Sequence, residues 1–488
     1  MTSDMPLAEL DRRQLGTDSQ SDELDGSDEL YQQLAGRVPE VWPVLMLIAK
    51  AAEQRGWSLY IVGGAVRDLL LGMLGDTRPL TDIDLVVEGC QTESATTIEG
   101  AGVVLAEAIR TEYTQVEVQV HGQFQTAVLT WQSWQIDIAT ARTEYYPYPA
   151  ANPEVESSDI RRDLYRRDFT VNAIALRLTD QLMGQLTGTS PGQLIDLFGG
   201  WSDLRQCLVR VLHENSFIDD PTRIFRGVRF AVRLGFDLEA QTEQLIRTAV
   251  NSGVYDKSRT QHEKVPALQS RLRAELKYLF EEAGWEKSLV QLGNLGALVC
   301  IDSQLAITSD LLRQLRRMDR WLRKFDAGQP RWLLLLELLL AQLEVDRASQ
   351  SAQTLNLGSQ SQYRLRHIHA WESHLEVHLG FRLGKLSGQS QLVIRPSQVF
   401  ELLRSHSRAE LLLMAARHPR TIGPFIWQYI TRLADVPTLI NGATLKRLGY
   451  PPGPRFKEIL TDIHRQQLDG KLATADSAEQ YVLTYHPQ

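Results

Sequence analysis

Cysteine is scarce. Cys90, Cys207 and Cys300 lie far apart in 488 residues and are odd in number. That count argues against a disulfide framework and a cysteine-rich zinc site, and fits a reducing cytoplasm. Long apolar runs are also missing. The best stretch, residues 332–343, is interrupted by Glu337 and Gln342 and is too short to span a bilayer, so no membrane association is expected. The start, MTSDMPLAELDRR, has no basic segment followed by an apolar one, so no secretory signal is expected. A net charge of −8 excludes a globally basic nucleic-acid binder. Lysine is rare as well, 10 against 42 arginines. Arginine forks onto phosphates and base edges, although a high genomic arginine content would produce the same bias.

What is present is an ordinary globular composition, 43% hydrophobic and 23% charged, long enough for roughly two to four domains. Residues 1–30 hold nine acids and two arginines, so most of the negative charge sits in one segment. We read residues 1–35 as a disordered acidic tail. Helical spacing follows over 43–55, a short apolar strand over 59–62, a helix over 65–71, a strand over 83–87 and a helix over 98–110. Residues 116–120, 126–131 and 135–139 read as strands, with Gly122 as a turn. Beyond about residue 200 strand signals nearly vanish. Helical spacing dominates over 219–234, 241–250, 269–280 and 309–325. The Ser/Gln-rich stretches 348–362 and 387–391 read as surface loops. The mixture over residues 40–200 points to an α/β or α+β head, followed by a long all-helical body; α+β is the fold class expected once the resemblance described below is added.

Four constellations can carry chemistry. In Thr81-Asp82-Ile83-Asp84, residues two apart in a strand aim two carboxylates the same way. Like charges held together call for a cation, and hard oxygens suit Mg²⁺ with substrate phosphates; two exposed loop acids are the plainer alternative. In Ile61-Val62-Gly63-Gly64-Ala65-Val66-Arg67-Asp68, a strand passes through a glycine pair into a helix. Backbone N–H groups at such a helix start bind anions, and Arg67 sits one turn in; a tight strand–helix turn would look the same. Arg166-Arg167-Asp168-Phe169-Thr170-Val171-Asn172-Ala173 is either a solvated edge or a phosphate clamp. In Asp219-Asp220-Pro221-Thr222-Arg223, Asp220 and Pro221 make a good helix start, and Arg223, Arg226 and Arg229 follow three apart. Between residues 161 and 233 there are eleven arginines, no lysines and eight acids, a local basic face.

Taken together, in order and spacing, these motifs resemble the class II tRNA nucleotidyltransferases (CCA-adding enzymes) and the similar bacterial poly(A) polymerases. Ile195-Asp196-Leu197-Phe198-Gly199-Gly200 looks like that family's head–neck junction, and Asn441-Gly442 through Leu448-Gly449-Tyr450-Pro451 is similar to its tail segment. The resemblance implies a polymerase-beta-type nucleotidyltransferase head over 36–200. It implies a helical neck with base recognition over 201–285, and a helical body and tail binding tRNA over 286–488. It implies template-independent transfer of CMP, AMP or both, from CTP and ATP, to the 3′ end of tRNA. Asp82 and Asp84 would hold Mg²⁺, with Asp137 as a third catalytic carboxylate. Gly63, Gly64, Arg67 and Arg167 would meet the triphosphate or sugar. Asp220 and Arg223 would read the base edge, supported by Arg226 and Arg229. In the family, the segment corresponding to 141–155 is a flexible loop that influences which nucleotides are added. Here it is aromatic and proline-rich, which leans toward members that divide CC-addition from A-addition. A poly(A) polymerase is the alternative, though the tail lacks the strongly basic character such enzymes carry. A retired tRNA-binding protein is a further alternative, against which the intact Asp82 and Asp84 argue. No protein partner is inferable.

Overall fold

The computed structural model describes residues 27–80, 82–89, 92–94, 97–113, 115–121, 125–149, 151–179, 194–253, 266–379 and 394–487. Expectations for Gly122, for the loop 387–391 and for the tail before residue 27 lie outside these residues. The chain divides into two units. One comprises residues 1–223 and 230–246, the other 224–229 and 247–488.

The first unit is built on a seven-stranded sheet. Its strands are β1 (Ser58–Val62), β2 (Ile83–Glu88), β5 (Glu117–His121), β6 (Thr126–Trp131), β7 (Trp134–Thr140), β10 (Ile174–Leu178) and β11 (Leu194–Asp196). Small pairs accompany it: β3 (Thr92–Ser94) with β4 (Thr97–Glu99), β8 (Arg142–Tyr145) with β9 (Glu154–Ser157), and β12 (Leu208–Val209) with β13 (Asp237–Leu238). The order of the large sheet is β11-β10-β1-β2-β7-β6-β5. All its pairs are antiparallel except β2 with β7. That parallel pair is possible because a helical crossover, Ala101–Glu112, separates the two strands in sequence. Asp84 and Asp137 are register partners in it.

Helices Trp42–Glu53, Gly64–Met73 and Ala101–Glu112 pack on the sheet because each carries one apolar face. Ile61, Val62, Leu85 and Val87 are almost fully buried, as continuous apolar central strands should be. The expected helix over 98–110 starts later, since residues 97–99 form β4. The tail expected through residue 35 also ends sooner. Ser27–Arg37 is a helix, with Leu30, Tyr31 and Leu34 buried; the acidic composition masked three apolar residues at helical spacing.

The second unit is helical throughout its described residues, confirming the expected change of character. The loop expected over 348–362 is instead the helix Val345–Thr354 and the start of Ser359–His378. Ala348, Ser351 and Ala352 face inward there, so small residues that read as linker serve as close helix contacts. At its centre, Glu337 is fully buried and accepts two hydrogen bonds from Arg364, at 2.7 and 2.6 Å. No helix among the described residues is long and apolar enough to cross a membrane.

Candidate functional site

Apart from Arg226 and Arg229, the candidate site residues belong to the first unit. β1 ends at Val62, and Gly63 turns the chain into the helix Gly64–Met73 with φ +71° and ψ −135°, a conformation that disfavours side chains. No side chain caps that helix, so its first amides remain available to an anion. A Cβ added at Gly63 would lie 3.3 Å from Arg167 Nη1 and 3.4 Å from Asp84 Oδ2. The glycine thus sits between a guanidinium and a carboxylate, and any side chain there would crowd both.

Asp82 lies just before β2 and is exposed, whereas Asp84 is within the strand and half-buried. Asp137, on β7, stands beside Asp84. Partial desolvation, and next the charge of Asp82, raise the Asp137 carboxyl above the usual carboxylate range, with His121 opposing. The structure therefore places Asp84 and Asp137 side by side on paired strands, with Asp82 near enough for its charge to act on Asp137. Among the described residues no group of three or more His, Cys, Asp or Glu side chains is placed to hold a metal ion by itself, so a cation here would need substrate oxygens as well. An edge of carboxylates on neighbouring strands fits a hard cation that also takes substrate oxygens.

Arg67 differs from expectation. It is 4% exposed, and its guanidinium donates to Asp68 (2.8 Å) and Asn172 (2.7 Å) and lies over the Phe230 ring. Asn172 in turn donates to Asp168 Oδ1 at 3.1 Å. Three sequence motifs thus join in one buried network beneath the glycine turn. A charge so enclosed keeps its partners because losing one would leave it uncompensated.

Arg166 and Arg167 are neither a free clamp nor a solvated edge. Both donate to Asp163, which is fully buried, at 2.7 and 3.0 Å. Arg166 also reaches Glu144 on β8 at 2.7 Å. Burial alone would raise the Asp163 carboxyl, but Arg167 and Arg166 outweigh it and hold it below the ordinary value. Sequence reading passed over Asp163 and Glu144. Asp163 had a findable signal, three and four residues before the arginine pair on one helical turn. Glu144 had none, because it belongs to the segment expected as a flexible loop. Its described part is the β8–β9 hairpin, ion-paired to the arginines.

Asp220 has extended backbone and Pro221 is already helical, which agrees with the expected helix start. Asp220 is 7% exposed, and its Oδ1 accepts from Thr222 N (3.0 Å) and Thr222 Oγ1 (2.6 Å). Arg223, 6% exposed, donates from Nη1 to Ser216 Oγ (2.6 Å) and from Nη2 to the Arg166 carbonyl (2.8 Å). Its Nη1 also lies 3.4 Å from His213 Nε2. Burial and the Arg223 charge push His213 down to about 4, so near neutral pH the ring is uncharged and its Nε2 can accept from Arg223. His213 and Ser216 were missed by sequence reading, since nothing local marks a ring that acts on a residue ten positions away.

The depressed His213 value has a pH consequence. Between its ordinary value near 6.5 and about 4, the unfolded chain takes up a proton that the folded one refuses. The first unit should lose stability as pH falls through that window. Replacing His213 with Gln should flatten the dependence of its melting temperature on pH between 6.5 and 4. An unchanged slope would show the ring to be solvated.

Arg226 and Arg229 belong to the second unit. Arg226 donates to Glu275 (3.0 Å), and the 6%-exposed Arg229 donates to Glu275 and Glu282 (3.1 and 3.0 Å). Both arginines are thus partnered by carboxylates of the helix Pro266–Glu281 and its end, and the even spacing that suggested a basic face is largely neutralised.

Residues 59–210 match the family described as the Poly A polymerase head domain. The chain is 32% identical over 436 residues to the A-adding tRNA nucleotidyltransferase of Geobacter sulfurreducens, covering 88% of this chain and 45% of that protein. It is 30% identical to the A-adding tRNA nucleotidyltransferase of Halalkalibacterium halodurans, covering 90% of this chain and 91% of that one. The chain therefore spans less than half the length of the Geobacter relative and nearly all of the Halalkalibacterium one. A solved structure of the Thermotoga maritima CCA-adding enzyme complexed with tRNA superposes with a TM-score of 0.69 at 28% identity, covering 93% of this chain and 98% of that one. A Poly A polymerase head, carboxylates on paired strands beside a glycine turn, and this near full-length likeness lead to one assignment: the chain belongs to the tRNA nucleotidyltransferase family.

Proposed function

We propose that this protein transfers AMP from ATP to the 3′ end of tRNA without a template. The observation that carries the transfer reaction is Gly63, placed between Arg167 and Asp84, with Asp137 as Asp84's register partner. Adenylate addition is favoured by the two relatives described above, whose A-adding names accompany matches over most of this chain.

Asp82 and Asp84, with Asp137, would hold Mg²⁺. Bound there, Mg²⁺ would lower the barrier to attack by the RNA 3′-hydroxyl and neutralise charge on the departing pyrophosphate. The amides of the Gly63–Gly64 turn and the Arg167 guanidinium bind the triphosphate. Arg67 acts through the turn it supports, as a positioning residue. Asp220 and Arg223 read the base. A carboxylate accepts from the exocyclic amino group shared by cytosine and adenine, and the guanidinium donates to the neighbouring ring nitrogen. Thr222 fixes the first, and Ser216, His213 and the Arg166 carbonyl fix the second, so both groups are oriented before the base arrives. The carboxylate pairing of Arg226 and Arg229 suits them to stiffen the helix Thr222–Leu234 that carries them.

One assay tests the reading. The purified protein is given Mg²⁺ and tRNAs ending before CCA, after C and after CC, each with labelled CTP or ATP. One adenylate added to the CC-ending tRNA is the expected product. Growth of all three acceptors to CCA would replace A-addition by complete CCA synthesis, and long adenylate ladders would make the protein a poly(A) polymerase.

Base reading has its own test in Asp220→Asn. The amide oxygen can still accept from Thr222, so the helix start survives. The amide can also turn a donor to the base, so UTP and GTP incorporation should rise against ATP by a factor worth about 1–3 kcal/mol. Unchanged preference and rate would leave Asp220 as a cap alone.

A further inference from the structure

The basic face promised by residues 161–233 is substantially self-paired. Arg166 and Arg167 are held by Asp163, Arg210 by Asp203 and Glu239, and Arg226 and Arg229 by Glu275. A chain of net charge −8 that engages RNA must concentrate positive charge elsewhere.

Such a place exists in the second unit. A cavity of about 390 Å³ is lined by Asp310, Arg313 and Arg317 of the helix Ser309–Leu322, and by Arg417, His418 and Arg420 at and beyond the end of the helix Arg408–Arg417. Its cations are not equivalent. Arg313 pairs with Asp310 at 3.1 Å, Arg417 with the buried Glu372 at 2.6 Å, and His418 with Glu372 and Glu376. Arg317 has only a neutral partner, the Ala416 carbonyl at 3.0 Å, and Arg420 is exposed. Among the described residues neither forms an ion pair. Burial holds Arg317 below the ordinary guanidinium value, and repulsion from Arg320, Arg313 and Arg420 adds to it against the single opposing Asp310. Arginines crowded into a concavity without enough carboxylate repel one another, and an anion that enters relieves the repulsion. The guanidinium fork matches the paired oxygens of a phosphate, and Thr421 on the same wall adds a hydroxyl donor.

We propose that this cavity is a docking site for a backbone phosphate of the tRNA substrate, gripped by Arg317 and Arg420. The proposal rests on the tRNA reading given above. It assigns the helical unit a defined electrostatic anchor, remote in sequence from every motif of the head.

The test compares the wild-type protein with Arg420→Ala and with Arg317→Ala/Arg420→Ala. Fluorescent tRNA is titrated between 50 and 200 mM salt, and kcat and KM are measured for tRNA and for ATP. Arg420 is exposed, so its single variant should fold normally. Losing the anchor should weaken tRNA binding on the order of tenfold at low salt and make the slope of log affinity against log salt shallower by about one. KM for tRNA should rise while KM for ATP and kcat stay the same. Unchanged affinity and slope in both variants would overturn the proposal. So would a site for the free ion only, shown by inorganic phosphate raising the wild-type melting temperature but not the double variant's while tRNA affinity is equal in the two. A wild-type protein that neither binds nor extends tRNA would instead sink the functional reading itself.

Discussion

Asp84→Ala is expected to lower nucleotide transfer by roughly 10³-fold or more, about 4 kcal/mol of barrier, with tRNA affinity nearly unchanged. Asp82→Ala should behave alike. Asp84 lies against the glycine turn and pairs in register with Asp137, so removing it empties the centre of the carboxylate edge. Binding should survive because affinity for RNA comes mainly from cations along its backbone, not from three carboxylates that would repel it. Single-turnover extension of a labelled tRNA, beside a filter-binding titration, separates the two effects. Near-normal turnover of either variant at saturating Mg²⁺ would remove the metal assignment. Parallel loss of binding and turnover would point to unfolding instead, and thermal melting decides that.

Asp163→Ala should destabilise the first unit by about 3–5 kcal/mol and abolish transfer. The side chain is fully buried and accepts from both Arg166 and Arg167, and the Arg142 amide donates to it at 3.3 Å. Without it the arginine pair loses its main counter-charge inside the protein, the costly way to break a buried ion pair. Arg167 would also lose the contact that aims its Nη1 at the glycine turn. Since the Asp163 carboxyl is held below its ordinary value, its contribution is complete at neutral pH and declines as pH falls through and below the ordinary carboxylate range. Urea unfolding at pH 7 and at pH 3.5 should therefore show a smaller difference between wild type and Asp163→Ala at the acid pH. A loss under about 1 kcal/mol at pH 7 would mean the arginines are adequately held by Glu144 and solvent.

Much of this protein could be read along the chain because the decisive signals are local. The Gly63-Gly64 turn is legible since only glycine adopts the required backbone angles without strain, and Asp220-Pro221 since a capping side chain and a fixed φ act within one turn. The change from mixed to helical character near residue 200 follows from hydrophobic period. Local reading failed where composition concealed a face: Ala348, Ser351 and Ala352 looked like linker, and Leu30, Tyr31 and Leu34 were hidden in acid.

What the tertiary structure decided is which charges meet. The sequence could offer Asp137 only as a candidate, and the parallel pairing of β2 with β7 is what places it beside Asp84. The sequence displayed eleven arginines between 161 and 233 as one basic face. Folding sets Asp163, Glu144 and Glu275 against several of them, and leaves Arg317 and Arg420 facing a cavity without carboxylate partners. The physical reason is range. Turn geometry and hydrophobic period are set within a few residues, whereas an ion pair depends on a separation of a few ångströms between side chains that can be tens of positions apart in the chain.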